Sequence, residues 1–315
     1  METKRSCDEL LKEYRNNRKV ISTHRIQFYL GENDDRDVYN ISAPFQWNGE
    51  TLIAGRVEAR DSEVSETVFF EEKDGRWVKK EGYPVLKLQD PFITKHGGEI
   101  LVGGVEIYDD PECSGHLAYR TVFYKGKTIR ELERFAQGPE RMKDIRLLSI
   151  SDHDIWVFTR PQGMIGGRGK IAFTHISDLS QLNVENIRKA EVLEDQFYEE
   201  EWGGSNELHL LRNGKVGVLS HIAKFDEQGN RHYYSSCFCF DLNTGEYSPM
   251  KIIAAREDFE KGDAKRPDLI DVIFSGGMIR KPGGLAELYC GVSDAQGHVI
   301  EIPDPFSEYE ETLFQ

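Results

Sequence analysis

Asp90, in the run LQDPFIT, is the residue of this sequence best placed for proton transfer. Pro91 fixes its own φ and pushes the preceding residue toward extended geometry, so the Asp90 carboxylate stands at a rigid strand start. Partial desolvation there would raise its pKa and let it serve as a general acid, unless it simply forms an Asx turn. Cations occupy related places: Arg56, Lys143 and Arg146 around Asp144, then Arg160, Arg168, Lys170 and His221. Arginine forks match phosphate or carboxylate oxygens, so this set predicts an anion site, or else cations that only neutralise neighbouring acids. Glu106, in VGGVEIY, follows two glycines that would let a ligand approach the backbone. It is expected to orient sugar hydroxyls, to pair with Arg56, or merely to stand exposed at a strand end. The run Trp202-Gly-Gly-Ser-Asn-Glu207 joins an aromatic platform to two hydrogen-bonding side chains, Asn206 and Glu207. Sugars are held by that combination, the ring by stacking and the hydroxyls by polar groups. Asp271 and Ser275 are expected at the corresponding rim.

These residues belong to a segment that recurs five times, starting at Asn40, Asp90, Asp144, Asn206 and Asp271. Each has an Asp or Asn, a short apolar strand, a turn and a second apolar strand. In the first four, a polar residue closes the unit 15 or 16 positions later: Arg56, Glu106, Arg160 and His221. An antiparallel hairpin sets the start of one strand beside the end of the next, so both polar ends gather on one rim. The fifth unit is irregular, with the longer turn KPGG. Further strands rich in β-branched and aromatic residues follow each hairpin, with turns at Asp74-Gly75 and Asn243-Thr-Gly245. Helical periodicity is confined to Ser6–Asn16, where Ser6 and Glu9 form a capping box, to TIRELERFA and to LSQLNVENIRK. The reading is all-β: residues 1–315 as one five-bladed β-propeller with a short N-terminal helix. Its blades start near 40, 90, 144, 206 and 271, and a strand near 20–30 closes the ring and removes the exposed edges.

Composition bounds the function. With 55 acidic against 40 basic residues the net charge is −15, which disfavours nucleic acid as a partner. No apolar run is long enough to cross a membrane, and the first residues lack the apolar core of a secretory signal, so a cytoplasmic protein with no membrane partner is expected. The five cysteines are scattered, and Cys237 and Cys239 lack the spacing of a zinc site; they read as reduced core thiols. With no HxH or HExxH among the histidines, neither a metal nor a cofactor is expected. The stretch from Arg160 to Lys170 fails as a nucleotide phosphate loop: Met164 holds the first glycine position, Ile171 replaces the Ser or Thr, and a strand follows where a helix should.

The five Asx-headed hairpins and the QDP element at Asp90 resemble the β-mannoside phosphorylases of glycoside hydrolase family 130. The longer strings RPQGMIGGRGKI (160–171), NELHLLRNGKVGVLSHIA (206–223) and DVIFSGG (271–277) are similar to the mannosyltransferase–phosphorylases that make and degrade β-1,2-linked mannan. The resemblance covers roughly residues 36–306. It implies a five-bladed propeller, inversion at the anomeric carbon, and one Asp, here Asp90, as acid/base. It also implies mannose oligosaccharide with inorganic phosphate, mannose 1-phosphate or GDP-mannose as partners. An inverting hydrolase needs a second carboxylate to activate water, whereas phosphate is already anionic and needs cations to hold it. Arg160, Arg168, Lys170 and His221 would supply them; Asn40, Arg56, Glu106, Asp144, Trp202, Asn206, Glu207 and Asp271 would face the sugar. An inverting hydrolase using Glu106, Asp144 or Asp271, and a non-catalytic carbohydrate-binding propeller, stay open as alternatives.

Overall fold

The computed structural model describes residues 4–311. The chain is mostly β, with one helix of length, Cys7–Asn17. Its capping box is present: Ser6 Oγ accepts from the Glu9 amide while the Glu9 carboxylate accepts from the Ser6 amide. The apolar face, Cys7, Leu10, Leu11 and Tyr14, is buried against the sheets, and Tyr14 donates to Asp258 at 2.6 Å.

The strands form antiparallel groups in chain order. Asp37–Tyr39, Glu50–Glu58, Ser65–Lys73 and Arg76–Lys79 make the first. The second is Gln89–His96, Glu99–Asp109, Leu117–Gly126 and Glu133–Gln137. Arg146–Ser151, Asp154–Thr159, Ala172–Ile176 and Glu191–Val192 form the third. Trp202–Leu210, Val216–Phe225, Arg231–Phe240 and Lys251–Ala254 form the fourth. In the fifth, Asp271–Lys281, Leu285–Val292 and Gln296–Pro303 are joined by the early strand Ser22–Arg25, with Thr23 opposite Ile300. The Asp74-Gly75 hairpin turn has positive φ at both residues, 52° and 77°, the twist that short hairpins require.

Apolar clusters lie between consecutive groups. Leu52 and Phe69 meet Leu88 and Val102; Phe92 and Phe123 meet Leu147 and Val157; Phe158 and Ile171 meet Val216 and Phe238. Leu219 and Cys237 then meet Leu288 and Cys290, and Tyr289 and Val299 of the fifth group return to Val38 and Ile53 of the first. The first strands of the last four groups, with the segment Ser42–Phe45 of the first, line one cavity of about 300 Å³.

One expected helix is corrected. Within TIRELERFA only Ile129–Glu131 forms a 3-10 turn, and Glu133–Gln137 is a strand on Leu117–Gly126. The edge of the second sheet offers those residues a ladder, which outweighs their helix propensity. LSQLNVENIRK is helical as expected, in two short pieces: a 3-10 turn at Leu179–Gln181 and an α-helix at Val184–Arg188 capped by Asn183. Four of the cysteines are buried, whereas Cys113 is exposed and touches His116. Among the described residues no helix is long and apolar enough to cross a membrane.

Candidate active site

Asn40, Asp90 and Asp144 share a backbone state: φ is 45°, 51° and 59°. Left-handed backbone tolerates short polar side chains far better than branched ones, which is why Asx recurs at these heads. In the fourth and fifth groups a bulge does the corresponding work. Asn206 is the extra residue between Ser205 and Glu207, and Gly276 the extra one between Ser275 and Gly277. The fifth head is therefore Gly276. Asp271 lies five residues upstream, paired with His232 at 2.6 Å and with the Tyr234 hydroxyl at 2.7 Å, apart from the cluster.

Asp90 is 8% exposed, and one carboxylate oxygen is saturated from two sides. Oδ1 accepts from Asn40 Nδ2 at 2.7 Å and from Arg56 Nη1 at 3.2 Å, while Oδ2 has no partner among the described residues. Arg56 is buried; it also donates to Glu58 through Nε and Nη2 and lies 4.9 Å over the Tyr39 ring. Glu58 in turn contacts Lys265. Burial works against the Arg56 cation, but Asp90, Tyr39, Asp294 and Glu58 outweigh it and raise its pKa.

Beside this lies a second cluster. Asp144, 2% exposed, faces Arg160 Nη1 at 3.4 Å and His221 Nε2 at 4.0 Å. Burial alone would raise the Asp144 carboxyl; Arg160, His221, Lys143 and Arg146 outweigh it and hold it below the usual range. Asn206 donates through Nδ2 to the Ser275 carbonyl at 2.8 Å, which turns its oxygen toward His221 Nδ1 at 2.9 Å. That places the imidazole proton on Nδ1 and the lone pair on Nε2. Burial, only partly opposed by Asp144, pushes His221 down to about 3, so the ring is neutral at ordinary pH. Arg160 is anchored by Nε on the Gly203 carbonyl at 2.9 Å. Lys143 makes no hydrogen bond among the described residues, yet Asp144, Tyr233 and Asp90 together overcome its burial and raise its pKa.

Among the described residues four buried polar atoms of these clusters lack a hydrogen bond: Tyr39 Oη, Asn40 Oδ1, and Asp144 Oδ2 and Arg160 Nη1, which face each other at 3.4 Å as an ion pair. Buried polar groups are nearly always hydrogen-bonded, so this set describes a site shaped for a polar guest. Tyr39, Tyr233 and Asp294 enter this site without a signal in the sequence. Tyr233 stacks on His221 at 5.6 Å. Ser293 and Asp294 have successive positive φ, 53° and 49°, a strained turn whose Asp294 carboxyl is raised by burial and by Asp90, against Arg56.

Other expected site residues lie elsewhere. Glu106 pairs with Arg120 and Arg134, each at 2.7 Å, and does not meet Arg56. The glycines before it make room for the protein itself: a Cβ on Gly103 would come within 2.0 Å of the Phe92 ring, and one on Gly104 within 2.9 Å of the Gln89 carbonyl. Trp202 is only 4% exposed and donates its indole N–H to the Tyr233 hydroxyl, so it is no open stacking platform. Lys170 pairs with Glu194 at 2.6 Å. Arg168 is exposed, 5.5 Å from the Phe225 ring. Glu207 accepts from the Met278 amide and His209, each at 2.7 Å, and lines the cavity shared by the five groups.

A family model described as a protein of unknown function, DUF1861, matches residues 12–308. No curated protein matches the chain. Among solved structures, MPT-4, a mannose phosphorylase from Leishmania mexicana in complex with phosphate ion, superposes with a TM-score of 0.86 at 33% identity, over 96% of this chain and 94% of that one. MPT-1, a GDP-Man-dependent mannosyltransferase from the same organism, gives 0.85 at 31% identity, over 96% and 95%. A β-1,2-mannobiose phosphorylase from Listeria innocua shares the fold, with a TM-score of 0.62 at 15% identity over 92% and 99%. Matched nearly end to end, the chain belongs to the DUF1861 family and to the group of enzymes that includes these mannosyltransferases and mannose phosphorylases.

Proposed function

We propose that the chain is an inverting β-1,2-mannoside phosphorylase and mannosyltransferase built on one five-bladed propeller. The five interfaces running from the first group back to it support the ring, as does Ser22–Arg25 pairing on the last group. The observation that carries the chemistry is the Asp90 carboxylate, with one oxygen fixed and the other free, beside a cationic pocket of orphaned polar atoms.

In the degradative direction, phosphate sits against Lys143, Arg160 and the His221 lone pair, which accepts from a phosphate hydroxyl. A phosphate oxygen attacks the anomeric carbon of a terminal β-mannoside. The bond from that carbon to the bridging oxygen breaks, and Asp90 Oδ2 delivers its proton to the leaving oxygen. The products are α-mannose 1-phosphate and a chain shorter by one sugar. In synthesis Asp90 takes the proton from the acceptor hydroxyl as phosphate departs. Tyr39, Asn40 and Asp294 hold hydroxyls of the transferred sugar. GDP-mannose is the alternative donor, supported by the likeness to the GDP-Man-dependent relative. The buried free thiols fit the reducing cytoplasm.

Incubation with mannose 1-phosphate and a mannose acceptor tests this: oligomers and free phosphate should appear together. Cleavage of oligomannoside that proceeds equally without phosphate would identify a hydrolase, and no turnover with any sugar phosphate a binding module.

A further inference from the structure

Ser42–Phe45, Phe92–Lys95, Arg146–Ser149, Asn206–Leu208 and stretches of the fifth group near Met278 enclose the cavity of about 300 Å³. Its wall contains Arg146, which is 5% exposed. Nε of Arg146 donates to the Asn206 carbonyl at 2.7 Å and Nη1 to the Ile145 carbonyl at 3.2 Å, while the guanidinium stacks 4.2 Å from the Phe92 ring. Nη2 has no partner among the described residues, and no carboxylate comes within ion-pair distance of the group. A buried cation left without a counter-ion is costly. Lys95, exposed on the same cavity, has no partner either. The carboxylate in the wall, Glu207, already accepts from the Met278 amide and His209. Two cations with free donors thus line one cavity whose wall is otherwise largely apolar.

We propose that this cavity is a second anion site, taking a small tetrahedral oxyanion such as phosphate or sulfate between Arg146 Nη2 and Lys95. The site is separate from the pocket of Lys143, Arg160 and His221 and does not depend on the reaction assigned to that pocket. Arg146 lies two positions after Asp144, so an anion here would screen one of the cations that keep Asp144 ionised.

Titration calorimetry with inorganic phosphate, repeated with sulfate, tests the proposal on the full chain. Arg160→Met marks the rim pocket. A binding event that survives Arg160→Met should weaken at least tenfold in Arg146→Met and severalfold in Lys95→Glu. Because Lys95 is exposed, its variant should fold even if Arg146→Met does not. If no event survives Arg160→Met, or if Lys95→Glu leaves the surviving event unchanged, the cavity holds only water joining Arg146 to Glu207 and the proposal is overturned.

Discussion

Arg56 closes one hairpin and donates across 3.2 Å to Asp90, which opens the next. With Asn40 reaching the same oxygen from the other side, the first group of strands holds the carboxylate of the second in place. The direction of the free Oδ2 is therefore set by the first group as well as by the hairpin that Asp90 itself opens. Glu58 completes the arrangement, since it satisfies the remaining donors of Arg56 and leaves Nη1 for Asp90.

Asp90→Asn keeps the shape and the Arg56 contact but removes the oxygen assigned to proton transfer. Turnover should fall by roughly a hundredfold or more, as expected on loss of a general acid. Melting temperature and oligomannoside binding should change little. Release of phosphate from mannose 1-phosphate measures the first and a thermal scan the second; a variant with full turnover would remove Asp90 from the mechanism.

Lys143→Met tests the anion pocket. The ammonium has no partner to leave stranded among the described residues, but it also helps to hold Asp144 ionised, so stability should fall by no more than about 1 kcal/mol. The KM for phosphate should rise about tenfold, the loss of one charge-assisted hydrogen bond. Glu106→Gln is the control: its partners are Arg120 and Arg134, and the KM for phosphate should not move. Equal effects from both substitutions would mean that the pocket is misassigned.

The heads at Asn40, Asp90 and Asp144 are legible in the sequence because left-handed backbone limits those positions to short polar side chains. The same geometry hides the fifth head, since a bulge filled by Gly276 has no side chain to read, and the nearest Asx lies five residues early at Asp271. Glu106 misleads for a related reason. The bulge at Asp90 and Pro91 shifts the register between Gln89 and Phe92, so the closing residue cannot be matched to its opening by counting alone. Tyr39 and Asp294 look like an ordinary strand tyrosine and an ordinary turn aspartate until the fold sets them beside Arg56. Lys143 was visible as a cation, but its lack of a partner is a property of the packed site.

Two buried histidines set the acid side of stability. Burial first, with nearby cations, lowers His221 to about 3 and His298 to about 4. The unfolded chain takes up these protons near pH 6.5 and the folded one does not, so stability rises with pH between these values and is lost as pH falls below about 6.5. Each contributes up to about 1.4 kcal/mol per pH unit in that window. Asp144 is lowered too, so its contribution is likewise lost as pH falls, in the lower window where a carboxylate titrates. Urea unfolding at pH 7 and pH 5 should show a marked loss, and His298→Gln should make that loss smaller. An unchanged difference between the two pH values would sink the assignment.

Gly204 and Gly203 separate the site from the scaffold that carries it. A Cβ on Gly204 would come within 2.8 Å of Asp144 Oδ2 and 3.0 Å of Arg160 Cδ, both side-chain atoms that can shift. Gly204→Ala should therefore fold, with a loss of about 1–3 kcal/mol from overpacking. It should weaken phosphate binding by spreading Asp144 from Arg160. On Gly203 the same Cβ would meet the His221 carbonyl at 2.3 Å, backbone held in the ladder, and the Phe197 ring at 2.4 Å. No side-chain rotation relieves the first of these, so Gly203→Ala should lose the fold before it loses affinity. Circular dichroism and phosphate titration of the two variants distinguish the outcomes. If Gly204→Ala binds phosphate as tightly as the parent, the Asp144–Arg160 pair does not shape the anion pocket.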